Sequence, residues 1–249
     1  MSRILLFALC LFNGASASFA SDSATSRKFI GKLSLIPMGC ESSKQPAPQC
    51  KQKQLCRLGN DFGYFDGALT WQADKGNCTD GASIPSWAQP IIGEPFQKEY
   101  VPAAVLHDHY SKSERPVRSW LQTQRMFYRA LLDTGVPPDR AAVLYAAVLI
   151  GSGKWIKSMR GKRCELGVNC VNTLELVEVI EREAPSFETD NFDVALKNMR
   201  EKITALGLTD PKDIEKIARP HLQNPKFLDS TTGFVNDVYT GSGIPIAVE

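Results

Sequence analysis

Hydrophobic and polar positions divide the chain into a first part with turn-bounded apolar segments and a second part with helical periodicity. Aromatic and apolar residues flank Asp66-Gly67 between Gly63 and Trp71, and such a pair favours a β hairpin. From Pro102 onward, apolar residues recur at helical spacing, which predicts amphipathic helices. We therefore expect an α+β fold in which a small β-hairpin region precedes an antiparallel helical domain and a helical C-terminal extension.

Proline, glycine and the apolar stripes give the expected bounds of the helices. The first begins at Pro102 and continues to Ser111, the second runs from Arg115-Pro116 to Gly135, and the third runs from Pro137-Pro138 to about Gly151. The apolar stripe of the second helix comprises Val117, Trp120, Leu121, Phe127, Tyr128 and Leu131. Further amphipathic helices are expected at Leu174–Glu183, Phe192–Leu206 and Pro211–Ala218, with irregular structure after Arg219.

The N-terminal residues have the pattern of a secretory signal. Met1-Ser2-Arg3 is basic, Ile4–Phe12 is apolar but too short to span a bilayer, and Ala17 and Ala20 each end a small-x-Ala pattern. The alternative is a short buried strand. We expect residues 1–20 to be cleaved and the mature chain to be secreted or periplasmic, with no transmembrane segment.

Cysteine usage agrees with export. Of the seven cysteines, six follow residues 1–20, an even number suited to disulfides with 15 alternative connectivities. They are Cys40, Cys50, Cys56, Cys78, Cys164 and Cys170. Zinc is the competing interpretation, but no two of these cysteines have the spacing of a zinc knuckle, and His221 is distant from all of them. We therefore expect disulfides to staple the β-hairpin region.

These patterns give a domain organisation of four parts. They are the signal peptide (1–20), a cysteine-containing segment (21–57), a core domain (58–155) and a helical extension with an irregular tail (156–249). The net charge of +2 gives no general attraction to nucleic acid. A basic segment around Trp155, from Lys154 to Arg163, is either a surface for anionic lipid or a solvated helix end.

The candidate chemistry lies in two segments, a glycine-containing loop and the first helix. Asp80 belongs to the loop Thr79–Pro85, and His107-Asp108 lies in an apolar stretch of the helix. Neighbouring helical residues point about 100° apart, so the pair can serve two adjacent tasks. His107 can activate water while Asp80 and Asp108 hold a cation, and oxygen ligands of this kind suit calcium. Such a site would hydrolyse an ester, because the metal stabilises the oxyanion that develops.

Simpler interpretations of the same residues stay open. Asp80 can bond its own backbone in a turn, and His107 can be a satisfied core residue. His109 beside Asp108 is a second metal pair, but a third ligand is not evident. The chain contains neither a Gly-x-Ser-x-Gly elbow nor a P-loop, so serine-hydrolase and P-loop nucleotide-hydrolase functions have no support.

The segment from Cys78 to Gly151 resembles the bacterial and phage domain-of-unknown-function family 1353. The matching residues are Thr79–Pro85, Pro90, Gly93, Ala103-Ala104, His107-Asp108, Tyr110, Phe127, Ala130-Leu131, Gly135-Val136-Pro137 and Tyr145–Val148. This family has no settled activity, so the resemblance implies a family rather than a function.

The order of the motifs is also similar to that of the secreted bacterial phospholipases A2. That resemblance implies that Asp80 is a calcium ligand from the loop, His107 the base and Asp108 the second calcium ligand, with Tyr110 near the tyrosine position. In those enzymes an aspartate on a second, antiparallel helix orients the histidine. The polar position on the corresponding stripe here is Gln124.

A glutamine at this position changes the expected chemistry. Gln124 can fix the tautomer of an imidazole, but it cannot stabilise an imidazolium as a carboxylate does. The alternative is that Gln124 bonds a loop carbonyl.

The expected function is an exported, calcium-dependent esterase similar to phospholipase A2, acting on phospholipid or another cell-envelope substrate. One alternative is a non-catalytic binding or structural module of the cell envelope or of a phage-derived assembly. Another is a metal-dependent cell-wall hydrolase that uses the same residues.

Overall fold

A computed structural model describes residues 26–38, 55–82, 84, 88–89, 93–114, 116–161, 176–229 and 234–235. The strands are β1 (Lys28–Ile30), β2 (Leu35–Met38), β3 (Leu55–Leu58), β4 (Phe62–Phe65), β5 (Thr70–Ala73), β6 (Cys78–Thr79), β7 (Lys154–Gly161), β8 (Leu176–Glu183) and β9 (Phe234–Val235). The helices are α1 (Val101–Ser111), α2 (Trp120–Asp133), α3 (Pro138–Gly151), α4 (Asp190–Leu206), α5 (Pro211–Ala218) and α6 (Lys226–Asp229), with a 3-10 turn at Arg219–His221. The α+β class is confirmed.

Small sheets flank the helices. The strand orders are β1-β4-β5, β2-β3-β6 and β8-β7-β9, and every pair is antiparallel except β7 with β9. The predicted hairpin at Asp66-Gly67 is confirmed as β4 and β5, with Phe65 opposite Thr70. The carboxylate of Asp66 accepts hydrogen bonds from the backbone N–H groups of Ala68 and Leu69 at 2.9 and 2.8 Å, which closes the turn.

The first residues of α2 differ from the expectation. The helix begins at Trp120 because Ser119 and Gln122 form a capping box, each side chain accepting the other's backbone N–H at 3.0 Å. Val117 therefore lies before the helix and is 76% exposed, so its place on the apolar stripe was wrongly predicted. The other stripe positions are buried, and so is Gln124, at 0% exposure.

Within the segment expected to be a helix at Leu174–Glu183, the residues Leu176–Glu183 form strand β8 instead, so that prediction is wrong. It pairs with β7 along its whole length and places Trp155 opposite Arg182. The basic segment after Gly153 is accordingly a strand and not a helix end. The run Leu176-Val177-Glu178-Val179-Ile180 is rich in β-branched residues, which favour strands. Pairing with β7 then decides for a strand over a helix.

Helices α4 and α5 agree with their predicted positions, whereas the 3-10 turn at Arg219–His221 and helix α6 lie in the segment that was expected to be irregular. α5 has the expected bounds, α4 begins two residues before the predicted Phe192, and Thr189 caps it by accepting the N–H of Phe192. Helix α3 is buried at every position from Ala141 to Gly151. A helix that is apolar on all sides belongs in the centre of a core, and α2, α4 and α5 surround it.

The expected disulfide staple is not present among the described cysteines. Cys56 is a buried thiol on β3, and Cys78 is exposed on the adjacent strand β6. The register places Cys56 opposite Thr79 and Arg57 opposite Cys78, so the two cysteines face opposite sides of the sheet. The other four candidate cysteines, Cys40, Cys50, Cys164 and Cys170, lie outside the described residues.

Two other expectations concern the signal peptide and membrane-spanning segments. Residues 1–20, the expected signal peptide, lie outside it. Within it, every helix is too short or too polar to cross a membrane.

Candidate functional site

The loop after β6 is held close to the start of the helical domain by a glycine. Gly81 has a positive φ of 78°, and the next residue, Ala82, donates its N–H to the carbonyl oxygen of Pro95 at 2.9 Å. A Cβ atom at Gly81 would lie 2.6 Å from that oxygen. Glycine is therefore required for this turn, and the turn fixes the position of Asp80. Ser83 and Pro85 of the same motif lie outside the described residues.

Helix α1 carries His107 and Asp108, and both are buried, at 7% and 6% exposure. The imidazole of His107 packs against the ring of Phe127 on α2, with ring centroids 5.1 Å apart. Its Nε2 atom lies 2.8 Å from Oε1 of Gln124. The structure thus places Gln124 beside His107, as the stripe position predicts.

This contact sets the proton distribution on the imidazole. Because Oε1 of Gln124 can only accept, Nε2 of His107 carries the proton and Nδ1 carries the lone pair. Burial lowers the pKa of His107 to about 4, against the opposing effect of the bond to Gln124. The ring is therefore neutral at neutral pH. The Nε2 of Gln124 is buried and has no hydrogen-bond partner among the described residues.

Asp108 joins the helix to the loop. The hydroxyl of Thr79 donates to Oδ2 of Asp108 at 2.7 Å and accepts the N–H of Gly81 at 3.1 Å. The ammonium of Lys112 lies 3.2 Å from Oδ2 of Asp108 and 3.1 Å from Oδ1 of Asp80. The structure therefore brings together the two halves of the site that the sequence predicts, and the two carboxylates converge on one positive charge, the lysine ammonium.

Charges in this cluster influence one another. Burial raises the pKa of Asp108 to about 6, although the ammonium of Lys112 acts in the opposite direction. Desolvation lowers the pKa of Lys112, but the neighbouring carboxylates of Asp108 and Asp80 outweigh it, so the pKa is raised overall. At neutral pH Lys112 is therefore an ammonium, and Asp108, with its pKa at about 6, is mainly a carboxylate.

The side chains of this site do not supply the oxygen ligands that calcium requires. Calcium takes roughly six to eight oxygen ligands, and the ammonium of Lys112 already occupies the position between the two carboxylates. The hydroxyl of Thr79 is committed to Asp108 as a donor. In the part of the chain that the structure describes, no group of three or more His, Cys, Asp or Glu side chains is arranged to hold a metal. As folded, the site does not fit calcium, which would first have to displace Lys112.

A cavity of about 780 Å³ opens onto these residues. His107, Asp80, Asp108 and Lys112 line one side of it. Its apolar surface comes from Ala82, Ala104, Phe127, Val148, Trp155 and Phe187. Charged side chains of Lys154, Arg182 and Glu183 lie on the side formed by β7 and β8. The cavity therefore combines apolar side chains with the imidazole of His107 and several charged groups.

The sequence patterns do not predict the wall formed by β7 and β8, because they favour a lipid-binding surface or a helix end for the first segment and a helix for the second. Trp155 donates its indole N–H to the carbonyl oxygen of Arg118 at 2.9 Å. The guanidinium of Arg182 donates to the carbonyl oxygens of Ser113 and Glu114 at 2.9 and 2.5 Å. These bonds hold the wall against the connection between α1 and α2, beside the site.

Lys112 was missed as well, although the sequence carries a signal for it. Residues four apart lie on the same face of a helix, so Asp108 and Lys112 are expected to meet. The i,i+4 spacing from the acidic member of the His-Asp pair was sufficient to identify this lysine.

Tyr110 and His109 serve other contacts. The hydroxyl of Tyr110 accepts the backbone N–H of Gln72 at 3.0 Å, and its ring packs edge-on against Trp71 with centroids 4.9 Å apart. Tyr110 therefore ties α1 to the β hairpin. His109 is half-buried, packs against Tyr110 and is not among the residues that line the cavity, so it does not join Asp108 at the site.

These features describe an α+β protein in which a buried His-Asp pair on α1 lies between the loop that contains Gly81 and helix α2, which carries Gln124. The chain belongs to the family described as proteins of unknown function, DUF1353, which matches residues 56–148. The matched segment runs from β3 into α3 and contains Asp80, His107, Asp108 and Gln124.

Two relatives come from Sinorhizobium fredii (strain NBRC 101917 / NGR234). The uncharacterized protein y4iH is 34% identical over 176 residues, which cover 69% of this chain and 68% of the relative. The uncharacterized protein y4jT is 33% identical over 138 residues, which cover 55% of this chain but only 39% of the relative. No solved structure matches the chain.

Proposed function

We propose that this protein is a hydrolase in which the neutral imidazole of His107 activates water for attack on an ester. One observation carries the proposal. The bond from Nε2 of His107 to Gln124, 2.8 Å long, leaves the basic lone pair on Nδ1 of a residue that lines a cavity. A positioned imidazole with an available lone pair is the commonest general base in proteins.

The other residues of the site support this chemistry by position. Gln124 holds the ring in one tautomer. The bond from Thr79 to Asp108 holds the loop against α1, so that Asp80 and Lys112 lie at the same end of the cavity as His107. Because the pKa of His107 is about 4, its imidazole is fully deprotonated at neutral pH but only weakly basic, which predicts slow turnover.

The lining of the cavity supports a substrate with an apolar part. Phe127, Val148, Trp155 and Phe187 line it, and its charged groups are the cations of Lys112, Lys154 and Arg182 together with the acidic side chains of Asp80, Asp108, Glu183 and Glu188. An acyl ester with a nearby anionic group, such as a phospholipid, matches this combination. Export, drawn from residues 1–20, would bring the protein to envelope lipids. Calcium at Asp80 and Asp108 stays a prediction of the phospholipase resemblance, and it requires that Lys112 leave both carboxylates.

Release of fatty acid from phospholipid vesicles tests this function. We expect slow release by the wild-type chain and a loss of about 100-fold or more in His107→Ala, since general-base catalysis contributes at least that much. His109→Ala is the matched control, because this neighbouring histidine does not line the cavity. Absence of release by the wild-type chain, or unchanged release by His107→Ala, would overturn the proposal.

A second candidate, a non-catalytic binding or structural module, is favoured by the burial of His107. Its bond to Gln124 and its contact with Phe127 join α1 to α2. In that case His107→Ala lowers the melting temperature and the wild-type chain releases no fatty acid. A cell-wall hydrolase is the third candidate, and digestion of purified peptidoglycan with and without added divalent metal separates it from the first.

A further inference from the structure

We propose that the ammonium of Lys112 is the resident cation of this site, in the position that the sequence predicts for calcium, and that it contacts the reacting oxygen of the substrate. The catalytic half of this inference rests on the proposed hydrolase. The other half states that Lys112 occupies the cation position. It depends on the geometry alone, and a calcium-binding measurement tests it without an assay of activity.

Three features hold the ammonium in place. Lys112 lies one turn beyond Asp108, so α1 itself delivers the side chain to that carboxylate at 3.2 Å. Asp80 approaches the same ammonium from the loop at 3.1 Å. Lys112 is also the C-cap residue of α1, where the helix dipole favours a positive charge. Asp108 is 6% exposed, and a buried carboxylate without a cation is costly, so this position requires a positive charge.

The ammonium has a donor to spare. A lysine carries three N–H donors, of which two are accounted for by Asp80 and Asp108. Lys112 lines the same cavity as His107, and its side chain is 55% exposed. The remaining N–H can therefore reach an oxygen of a ligand in the cavity.

This arrangement gives the lysine a defined part in ester hydrolysis. A water oxygen bonds to the carbonyl carbon while its proton passes to Nδ1 of His107, and the carbonyl electron pair moves onto oxygen beside the Lys112 ammonium. When the carbonyl re-forms, the bond to the leaving alcohol breaks, and that oxygen takes the proton from the imidazolium. Stabilisation of the oxyanion, the task of the metal in a calcium-dependent site, falls to the ammonium.

Calcium binding measured by isothermal titration calorimetry tests the cation position. We expect no binding of CaCl2 by the wild-type chain. Lys112→Met removes the ammonium from between the two carboxylates, so we expect it to bind calcium with a Kd of about 10⁻⁴ to 10⁻³ M, the range of modest protein sites. Asp80→Asn added to Lys112→Met should remove that binding. Lys98→Met, which changes a lysine side chain that is 91% exposed and does not line the cavity, should behave like the wild-type chain.

Each result decides the first half of the inference. Calcium binding by the wild-type chain overturns it, and so does a folded Lys112→Met that fails to bind calcium. Thermal melting of every variant establishes that it is folded.

Fatty acid release in the presence of a chelator tests the second half. We expect wild-type activity to persist in excess EDTA, and kcat to fall at least about tenfold in Lys112→Met while Lys98→Met is unaffected. Activity abolished by EDTA, or unchanged in Lys112→Met, contradicts the catalytic part. If no substrate is hydrolysed, the proposed hydrolase fails and the calorimetric result still decides the cation position.

Discussion

At the scale of single residues, the site depends on a neutral pair, His107 with Gln124. The imidazole is buried, its pKa is about 4, and its partner is an amide that can orient it but cannot compensate an imidazolium. A carboxylate at the same position would do both. The identity of one side chain on α2 therefore sets how strong a base His107 can be.

Gln124→Glu tests this dependence directly. A carboxylate 2.8 Å from Nε2 should raise the pKa of His107 and stabilise the imidazolium, so the acid limb of the pH profile of kcat/KM should move from about pH 4 upward by one unit or more. We expect kcat at pH 8 to rise about tenfold or more. Gln124→Leu, which removes the orienting oxygen, should lower kcat. An acid limb that stays near pH 4 in Gln124→Glu contradicts a role for this contact in tuning the base.

His107 and Asp108, the two buried titrating groups of α1, are expected to change the stability of the protein in opposite directions as the pH changes. The pKa of His107 is lowered from 6.5 to about 4, so the folded state binds fewer protons in that interval and stability is lost as the pH falls through it. The pKa of Asp108 is raised from 3.8 to about 6, so the folded state binds more protons there and stability is lost as the pH rises. The two effects oppose each other in nearly the same pH window.

A variant that lacks either group should show the pH dependence of stability that the other group contributes. Relative to the wild-type chain, the free energy of unfolding of Asp108→Asn should fall by up to about 3 kcal/mol between pH 7 and pH 4, and that of His107→Gln should fall as the pH rises from 4 to 6. Urea unfolding at a series of pH values measures both. Equal pH profiles of the wild-type chain and the two variants would refute these pKa shifts.

At the scale of elements, a partly buried ion pair attaches α5 to the core. The guanidinium of Arg125 on α2 makes two hydrogen bonds of 2.7 Å to the carboxylate of Glu215, which also accepts the hydroxyl of Tyr145 on α3 at 2.7 Å. Burial and the adjacent Glu215 carboxylate raise the pKa of Tyr145 well above its usual value. Three helices therefore meet at one carboxylate that is 8% exposed.

Glu215→Ala should destabilise the protein substantially. Removing one member of a buried pair leaves Arg125 and the hydroxyl of Tyr145 without their partner, and we expect a loss of about 3 kcal/mol in the free energy of unfolding. Lys216→Ala, an exposed change on the same helix, should cost less than about 0.5 kcal/mol. Chemical denaturation compares them, and a loss below about 1 kcal/mol in Glu215→Ala would show that α5 is held mainly by apolar contacts.

At the scale of the whole molecule, the C-terminal residues complete both the core and the cavity. Phe192, Leu196, Met199, Ile203 and Ile214 are buried in one continuous cluster with the helices α1 to α3. β7 and β8 supply one wall of the cavity. The division into a core domain at 58–155 and an extension at 156–249 stays a prediction, and the shared core argues that the two parts fold together.

A chain that ends at residue 155 tests that boundary. Each buried apolar side chain of α4 and α5 contributes roughly 1.5 to 3 kcal/mol, and five of them together match the whole stability of an ordinary domain, about 5 to 15 kcal/mol. We therefore expect residues 1–155 to lack a cooperative thermal transition by circular dichroism, whereas a chain ending at Asp229 should keep one. A cooperative transition in the shorter chain would establish the core as an independent domain.

Local pattern determined much of this fold. The Asp66-Gly67 turn gave the hairpin, and helical periodicity gave α1 to α5 with errors of a few residues at their ends, as at Ser119. The same pattern placed a glutamine inward at position 124, because a polar residue on an apolar stripe must face the core. These features depend on residues close together in the chain, whose spacing is itself the physical signal.

Contacts between distant residues were decided only by the tertiary structure. The ammonium of Lys112 lies between two carboxylates because the turn at Gly81 brings Asp80 to the end of α1, although Asp80 precedes Asp108 by 28 residues in the chain. Strand pairing turned the segment at Leu176–Glu183 into the wall of a cavity, and register turned Cys56 and Cys78 to opposite faces. Composition and spacing selected the acidic residues and the histidine, but which cation lies between the carboxylates depends on how loop and helix approach each other in space.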